Sequence, residues 1–162
     1  MSRPIRYVCT GNYYFITNRC LLGQYLMRPD EECRRIIKGC LARAADQLGV
    51  ELVCYAFLSN HFHLVARFPR ANMGEFMERL QGQVAERLNK HRSRSGTMFP
   101  ERYDDQELLD DQAVRDKIEY TLNNPVRADL VGRAEKWKDV GSMKLHLSGE
   151  DLTGEWLDHK KW

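Results

Sequence analysis

The chain lacks the apolar segments that membrane proteins and exported proteins carry. Its longest uninterrupted apolar run spans residues 52–58, whereas a helix needs about 20 apolar residues to cross a bilayer. The first residues lead into no apolar signal core, so we expect no export by that route. These absences predict a cytoplasmic protein without a membrane partner.

Cysteines are few and irregularly spaced. The five are Cys9, Cys20, Cys33, Cys40 and Cys54, an odd number without a C-x-x-C pair. A disulfide framework or a structural zinc site is therefore not expected, and a reducing compartment is. The 162 residues also contain no repeat, low-complexity tract or Gly/Ser linker. We predict one catalytic domain over residues 1–135 and an extension of unknown role over residues 136–162.

The formal net charge of +2 is too small to indicate a polyanionic partner, but the charges are unevenly distributed. Residues 87–94 contain four basic side chains and no acid, and residues 104–116 contain six acids against one arginine. This separation predicts one face that could bind a polyanion and another that would repel it. Two solvated charged faces without a partner explain the pattern equally well.

Apolar periodicity predicts seven elements in the order β-α-β-β-α-β-α. The expected strands cover residues 12–20, 50–58, 61–68 and 102–109, with 50–58 a buried central strand; the helices cover residues 30–49, 72–88 and 111–124. Their expected N-caps are Asp30, Asn72 and Asp111, and Pro125 should end the last helix at Asn124. The order indicates an α+β, ferredoxin-like βαββαβ sandwich, an antiparallel sheet with helices on one face, plus an added C-terminal helix.

Two histidines share one face of the third predicted strand. His61 and His63 are two residues apart, and alternate residues of a strand project to the same side. Their imidazoles can therefore converge on one metal ion. The pattern alone is weak, because two half-exposed histidines in cross-strand hydrogen bonds would produce the same sequence. A metal site with two histidines also needs a third ligand.

The last predicted helix carries a tyrosine away from its apolar stripe. The stripe expected to face the core consists of Val114, Ile118, Thr121 and Leu122. Tyr120 lies about 150° from the middle of that stripe, and Asn124 follows one turn later. The tyrosine either packs against the C-terminal segment or faces a polar site. A phenol there could attack a phosphate neutralised by a cation that His61, His63 and the Asn124 amide oxygen hold.

Three stretches of the sequence resemble the single-tyrosine HUH transposases, in particular the REP-associated tyrosine transposases. They are residues 58–65 (LSNHFHLV), 96–103 (GTMFPERY) and 120–131 (YTLNNPVRADLV). The first resembles the family's histidine strand, the second the linker into the fourth strand, and the third the tyrosine helix with its asparagine-proline exit. The similarity covers residues 12–133. Pro100 departs from the family pattern, and residues 137–162 match no segment of it.

The resemblance implies metal-dependent cleavage and rejoining of single-stranded, hairpin-forming DNA. By analogy, His61, His63 and Asn124 would bind Mg²⁺ or Mn²⁺, and the sequence does not choose between the two ions. Tyr120 would be the nucleophile that forms a 5′-phosphotyrosine. The residues expected to contact DNA are Arg87, Lys90, Arg92, Arg94, Arg102 and Arg127, with Phe99 or Tyr103 as candidates for base stacking. The enzyme would act as a monomer or homodimer, and the alternative is an inactive protein that only binds palindromic repeats.

Overall fold

A four-stranded antiparallel sheet is the frame of the molecule. The computed structural model describes residues 4–156, and its strands are β1 (Tyr13–Arg19), β2 (Glu51–Phe57), β3 (His61–Arg67) and β4 (Asp104–Leu108). They pair in the order β2-β3-β1-β4. Four α-helices accompany them within the described residues: α1 (Glu31–Leu48), α2 (Met73–His91), α3 (Asp111–Arg127) and α4 (Met143–Ser148). The strand order and the two crossover helices confirm the predicted ferredoxin-like arrangement.

Helices α1 and α2 cover one face of the sheet and form the main core with it. The predicted alternation of β3 is confirmed, because Phe62, Leu64 and Ala66 are buried in this core. Val65 belongs instead to a second apolar cluster on the opposite face. Each fully buried side chain of this size contributes about 1.5–3 kcal/mol relative to exposure. No helix in the part of the chain that the structure describes has the length and apolar character to cross a membrane.

Helix α3 lies on the other face, where the histidine side chains also project. Its half-buried Val114, Ile118 and Leu122 pack against an apolar cluster of Phe15, Cys54, Val65 and Leu108. The C-terminal helix predicted in addition to the βαββαβ unit is therefore present as α3, and it covers the sheet face that α1 and α2 leave open. The face under α1 and α2 is covered by a continuous apolar core, whereas the face under α3 combines a small apolar cluster with polar side chains.

The ends of α1 follow the prediction. Asp30 caps the helix by accepting a hydrogen bond from the Cys33 N–H at 2.8 Å. Gly49 ends it in the left-handed conformation at φ 62°, which glycine adopts without steric cost. Asn72 precedes α2 as expected, but its side chain donates to the Leu48 carbonyl at 2.8 Å and makes no cap bond to the helix.

Both predicted ends of α3 are wrong. The N-cap is Asp110, whose carboxylate accepts a hydrogen bond from the Ala113 N–H at 2.7 Å, so Asp111 is already the first helical residue. The helix also continues through the buried Pro125 to Arg127. Proline removes only one backbone donor this close to the helix end, and the next turn still forms, since the Ala128 N–H donates to the Asn124 carbonyl at 2.9 Å.

The prediction that residues 50–58 form a central strand is wrong, because β2 lies at an edge of the sheet. The C-terminal extension covers this edge. The Phe57 N–H donates to the Val140 carbonyl at 2.6 Å, and the Trp137 indole N–H donates to the Phe57 carbonyl at 2.8 Å. Ser142 likewise pairs with both backbone groups of Tyr55. An apolar strand is tolerated at this edge because the extension covers its backbone groups. Covered groups cannot pair with a strand of another molecule.

Candidate functional site

His61 and His63 project side by side from β3 towards α3, and their ring centroids are 4.9 Å apart. His63 is only 7% exposed. Neither of its ring nitrogens has a hydrogen-bond partner among the described residues. Buried polar atoms are normally paired with protein, water or a ligand. A neutral imidazole has one nitrogen with a free lone pair, and a bound cation would provide the partner that residues 4–156 do not.

Asn60 fixes the orientation of His61. Its amide oxygen lies 2.6 Å from Nδ1 of the imidazole, and because an amide oxygen can only accept, Nδ1 carries the proton. The other ring nitrogen, Nε2, then keeps its lone pair for a ligand. Asn60 is itself held in place, since its side chain donates to the Gly23 carbonyl at 3.2 Å and its carbonyl accepts from the Cys20 N–H at 2.8 Å.

Both imidazoles are held in the neutral form that a metal ligand requires. Burial lowers the pKa of His63 to about 3, and the neighbouring His61, Arg19 and Lys117 act in the same direction. Burial also lowers the pKa of His61, assisted by Arg19 and opposed by a hydrogen bond with the Asn124 side chain. Asn124 is 7% exposed, so its amide lies beside the histidine pair at the buried end of the site.

Tyr120 packs against the histidine pair. Its ring meets His63 edge-on at 5.4 Å between centroids and meets Phe15 at 5.9 Å. The prediction that this residue lies far from the sheet-facing side of the helix is therefore wrong. The fully buried Thr121 is at the centre of that side, and Tyr120 lies on its flank. The apolar residues of α3 do not mark its contact face correctly because part of the sheet surface that the helix meets is polar.

Three basic side chains surround this cluster. The Lys117 Nζ lies 4.3 Å from the centre of the Phe15 ring and 5.5 Å from that of Tyr120, and the Arg127 guanidinium lies 5.3 Å from the Tyr120 ring. Arg19 is opposite His61 in the β1–β3 register. No carboxylate in residues 4–156 forms an ion pair with these three.

Sequence analysis missed Lys117 and Arg19. Lys117 could have been found from its spacing of three residues before Tyr120 on one helix, which brings two side chains together. Arg19 required the strand pairing, because no spacing rule relates it to His61. Of the residues predicted to contact DNA, Arg127 is the one whose contacts within residues 4–156 include this cluster.

The predicted basic loop is largely engaged in holding its own structure. Arg92 donates to the Arg28 carbonyl and forms an ion pair with Asp30 at 3.1 Å. Arg94 donates to the Asn89 amide oxygen at 2.8 Å and to the Thr97 carbonyl at 3.0 Å. These arginines fasten the end of α2 to neighbouring loops.

The remaining predicted DNA contacts lie elsewhere. The Arg87 guanidinium stacks on the Trp156 ring at 3.8 Å, Arg102 donates to the Pro4 carbonyl at 3.0 Å, and Lys90 is exposed in the last turn of α2. The two aromatic residues considered for base stacking belong to the core. Tyr103 is 7% exposed and Phe99 packs edge-on against Phe62.

A cavity of about 430 Å³ opens beside His61. Its wall includes Asn60, Arg28 and Tyr25, and the Tyr25 ring is 70% exposed at its rim. The cavity is thus continuous with the histidine site. An aromatic ring and a guanidinium at its edge are groups on which a nucleic-acid base can stack.

The donor set suits a divalent cation with open coordination positions. Within residues 4–156 no three His, Cys, Asp or Glu side chains are grouped closely enough to hold a metal ion. A cation here would therefore combine the two neutral imidazoles with the Asn124 amide oxygen, and oxygen atoms of water or substrate would complete its shell. Mixed nitrogen and oxygen ligands of this kind suit Mn²⁺ and are compatible with Mg²⁺.

Comparison with known proteins identifies the fold. A scan against protein-family models and a search of curated proteins gave no match. The structure of a REP-associated tyrosine transposase bound to a REP hairpin is similar, with a TM-score of 0.75 and 16% identity, over 98% of this chain and 99% of that chain. A candidate transposase from Deinococcus radiodurans R1 is also similar, with a TM-score of 0.50 and 20% identity, over 76% of this chain and 97% of that chain. The resemblance to REP-associated tyrosine transposases that the motifs carry is thus confirmed at the level of the fold.

Proposed function

We propose that this chain is a transposase that nicks and rejoins single-stranded, hairpin-forming DNA, with Tyr120 as the nucleophile. The observation that carries the proposal is the contact between Tyr120 and His63, whose buried ring nitrogens have no partner in the described part of the chain. A phenol provides a nucleophile for phosphodiester cleavage, and two neutral imidazoles with an amide beside it can hold a cation that neutralises the phosphate.

His61, His63 and Asn124 are the residues that would hold a divalent cation, Mg²⁺ or Mn²⁺. When bound, the cation would neutralise a phosphate and make its phosphorus more electrophilic. Asn60 holds the His61 ring through Nδ1, so that the unprotonated Nε2 can bind the cation. Hydrogen bonds to the non-ligating nitrogen of a histidine commonly orient metal ligands in this way. The low pKa of His63 keeps this ligand unprotonated at neutral pH.

The covalent step exchanges one phosphodiester bond for another. The Tyr120 oxygen attacks the phosphorus, a bond from phosphorus to that oxygen forms, and the bond from phosphorus to the 3′ oxygen breaks. The phenol loses its proton to solvent, and the departing oxygen takes one up to become a 3′-hydroxyl. Attack by the 3′-hydroxyl of a second strand reverses the sequence and restores the phenol, so strand exchange needs no external energy source.

Several features support DNA as the substrate. Arg19, Lys117 and Arg127 provide positive charge without carboxylate partners among the described residues, and phosphates are the natural counter-charge. The cavity beside His61, with Tyr25 at its rim, has room for an unpaired base. The similar transposase structure contains a REP hairpin. Tyr120 meets His63 within one chain, and whether the active unit is a monomer or a homodimer is an outcome for sizing of the protein–DNA complex.

A labelled-oligonucleotide assay tests the proposal. A pool of hairpin-forming single strands labelled at the 3′ end is incubated with protein and Mn²⁺ and then resolved under denaturing conditions. We expect label to migrate with the protein for wild type and for Tyr7→Phe, a control at a residue that is 89% exposed. Tyr120→Phe should give no labelled protein while still binding the pool. An adduct that persists in Tyr120→Phe would refute the nucleophile, and DNA binding without any adduct in wild type would favour the inactive binding protein.

A further inference from the structure

Lys117 is a basic residue of the site that has no specific role in the proposed reaction. It precedes Tyr120 by one helical turn, and its ammonium group lies over the Phe15 ring at 4.3 Å. It is 5.5 Å from the Tyr120 ring and close enough to His63 to help lower the pKa of that imidazole. The amine is therefore directed into the space that the tyrosine and the histidine share.

The described residues leave this charge unneutralised. The adjacent acid, Asp116, points elsewhere and accepts a hydrogen bond from Gln112 at 2.7 Å. Ring faces attract a cation, but such contacts cancel no charge. Lys117 is also half-buried, so water stabilises its positive charge less well than it would at an open surface. The position favours an anion that arrives with the substrate.

We propose that Lys117 binds a non-bridging oxygen of the scissile phosphate next to the attacking phenol. The inference rests on the proposed function and adds a catalytic residue to it. Arg127 lies 5.3 Å from the same tyrosine ring, one turn beyond Asn124, so two cations flank the nucleophile along the helix.

The role of Lys117 follows from how charge moves during the reaction. As the phenol oxygen adds to phosphorus, negative charge grows on the non-bridging oxygens. A fixed ammonium beside them therefore stabilises the transition state more than the bound substrate. Loss of Lys117 should consequently reduce the rate of the covalent step much more than the affinity for DNA. Removal of one such preorganised donor typically reduces the rate by about 10²–10³-fold.

The first arm of the test measures the rate. Under single-turnover conditions with saturating hairpin oligonucleotide and Mn²⁺, Lys117→Met should form the covalent adduct about 100-fold more slowly than wild type. Its dissociation constant for the same DNA should stay within about threefold. Lys117→Arg should recover most of the rate because it restores the charge. Lys144→Met, at an exposed lysine of α4, is the matched control and should behave as wild type.

The second arm does not depend on cleavage. Tyr120→Phe protein is acetylated with an amine-reactive reagent with and without the hairpin pool, and the modified lysines are identified by mass spectrometry. DNA should protect Lys117 and leave Lys144 reactive. Wild-type rates in Lys117→Met, equal losses of rate and affinity, absence of rescue by arginine, or a Lys117 that stays reactive in the complex would each overturn the inference. Protection of Lys117 without any adduct in wild type would refute the cleavage reaction and leave the phosphate contact standing.

Discussion

The two faces of the sheet are covered to different degrees, although the same strands form both. On the face under α1 and α2, β3 contributes Phe62, Leu64 and Ala66 to a continuous apolar core. On the face under α3 it contributes Val65 to a small apolar cluster. It also contributes His63, which lies beside Tyr120 and whose ring nitrogens have no hydrogen-bond partner within residues 4–156. Stability is concentrated on one side of a strand, so that the other side can keep polar atoms buried and available for chemistry.

Removal of the histidines should produce the largest effect on activity. We expect His61→Ala and His63→Ala each to reduce metal-dependent nicking by about 10³-fold, because metal ions supply several kcal/mol of charge stabilisation in such reactions. EDTA should inhibit wild type to the same extent, and added Mn²⁺ should restore it. The check is the rate of adduct formation with and without metal. Nicking that survives in either variant would remove these imidazoles from the mechanism.

Adjacent substitutions on β3 should separate stability from activity. Leu64→Ala creates a cavity in the main core and should lower the free energy of unfolding by about 2–5 kcal/mol. His63→Phe removes two buried nitrogens that have no partner in the described part of the chain, so the unfolding free energy should stay within about 1 kcal/mol of wild type or increase, while nicking is lost. Urea denaturation measures both changes. If His63→Phe destabilised the fold as strongly as Leu64→Ala, the difference between the two faces would not hold.

The covering of the β2 edge should have a smaller effect. Trp137→Phe removes the indole N–H that donates to the Phe57 carbonyl at 2.8 Å and leaves an aromatic ring in place. We expect a loss of about 0.5–1.5 kcal/mol in the free energy of unfolding, the net contribution of one hydrogen bond. The same denaturation assay provides the check, with Trp156→Phe, on the outer side of α1 and α2, as the comparison. An unchanged unfolding midpoint for Trp137→Phe would show that the edge is not held by this contact.

The difference in thiol reactivity between buried and exposed cysteines should be the smallest of these effects. Burial raises the pKa of Cys20, Cys33 and Cys40 to about 11 and that of Cys54 to about 12, and Cys9 is exposed. Thiolates react and buried thiols do not, so an alkylating reagent should label Cys9 in the native protein and all five cysteines after denaturation. Mass spectrometry of the labelled protein measures this. Rapid native labelling of Cys54 would mean that α3 separates readily from its face of the sheet.

The more regular face was the easier one to predict. Strand alternation indicated correctly that Phe62 and Leu64 are buried together and that His61 and His63 share the opposite side. The Asp30 cap and the Gly49 end of α1 also followed from local chemistry. These features depend on residues that are close in the sequence, so local patterns are sufficient to predict them.

The less regular face depends on contacts between distant segments, and sequence reasoning failed there. The rotation of α3 that brings Tyr120 onto His63 is set by the sheet surface it meets. The edge position of β2 is not visible in the sequence because residues 80 or more positions later cover it. Arg92 and Arg94 hold nearby loops, a role that local patterns do not reveal, and their contact with DNA stays a prediction. The three sequence motifs identified the family resemblance, while Arg19, which lies opposite His61, required knowledge of the strand pairing.

The most direct measurement is the chemical identity of the amino acid that carries DNA. Wild-type protein is reacted with a hairpin oligonucleotide and Mn²⁺, digested with nuclease and protease, and analysed by tandem mass spectrometry. The account predicts a 5′-phosphate nucleotide attached to the phenol oxygen of Tyr120. A nucleotide on any other residue, or protein that binds the hairpin and carries none, would contradict it.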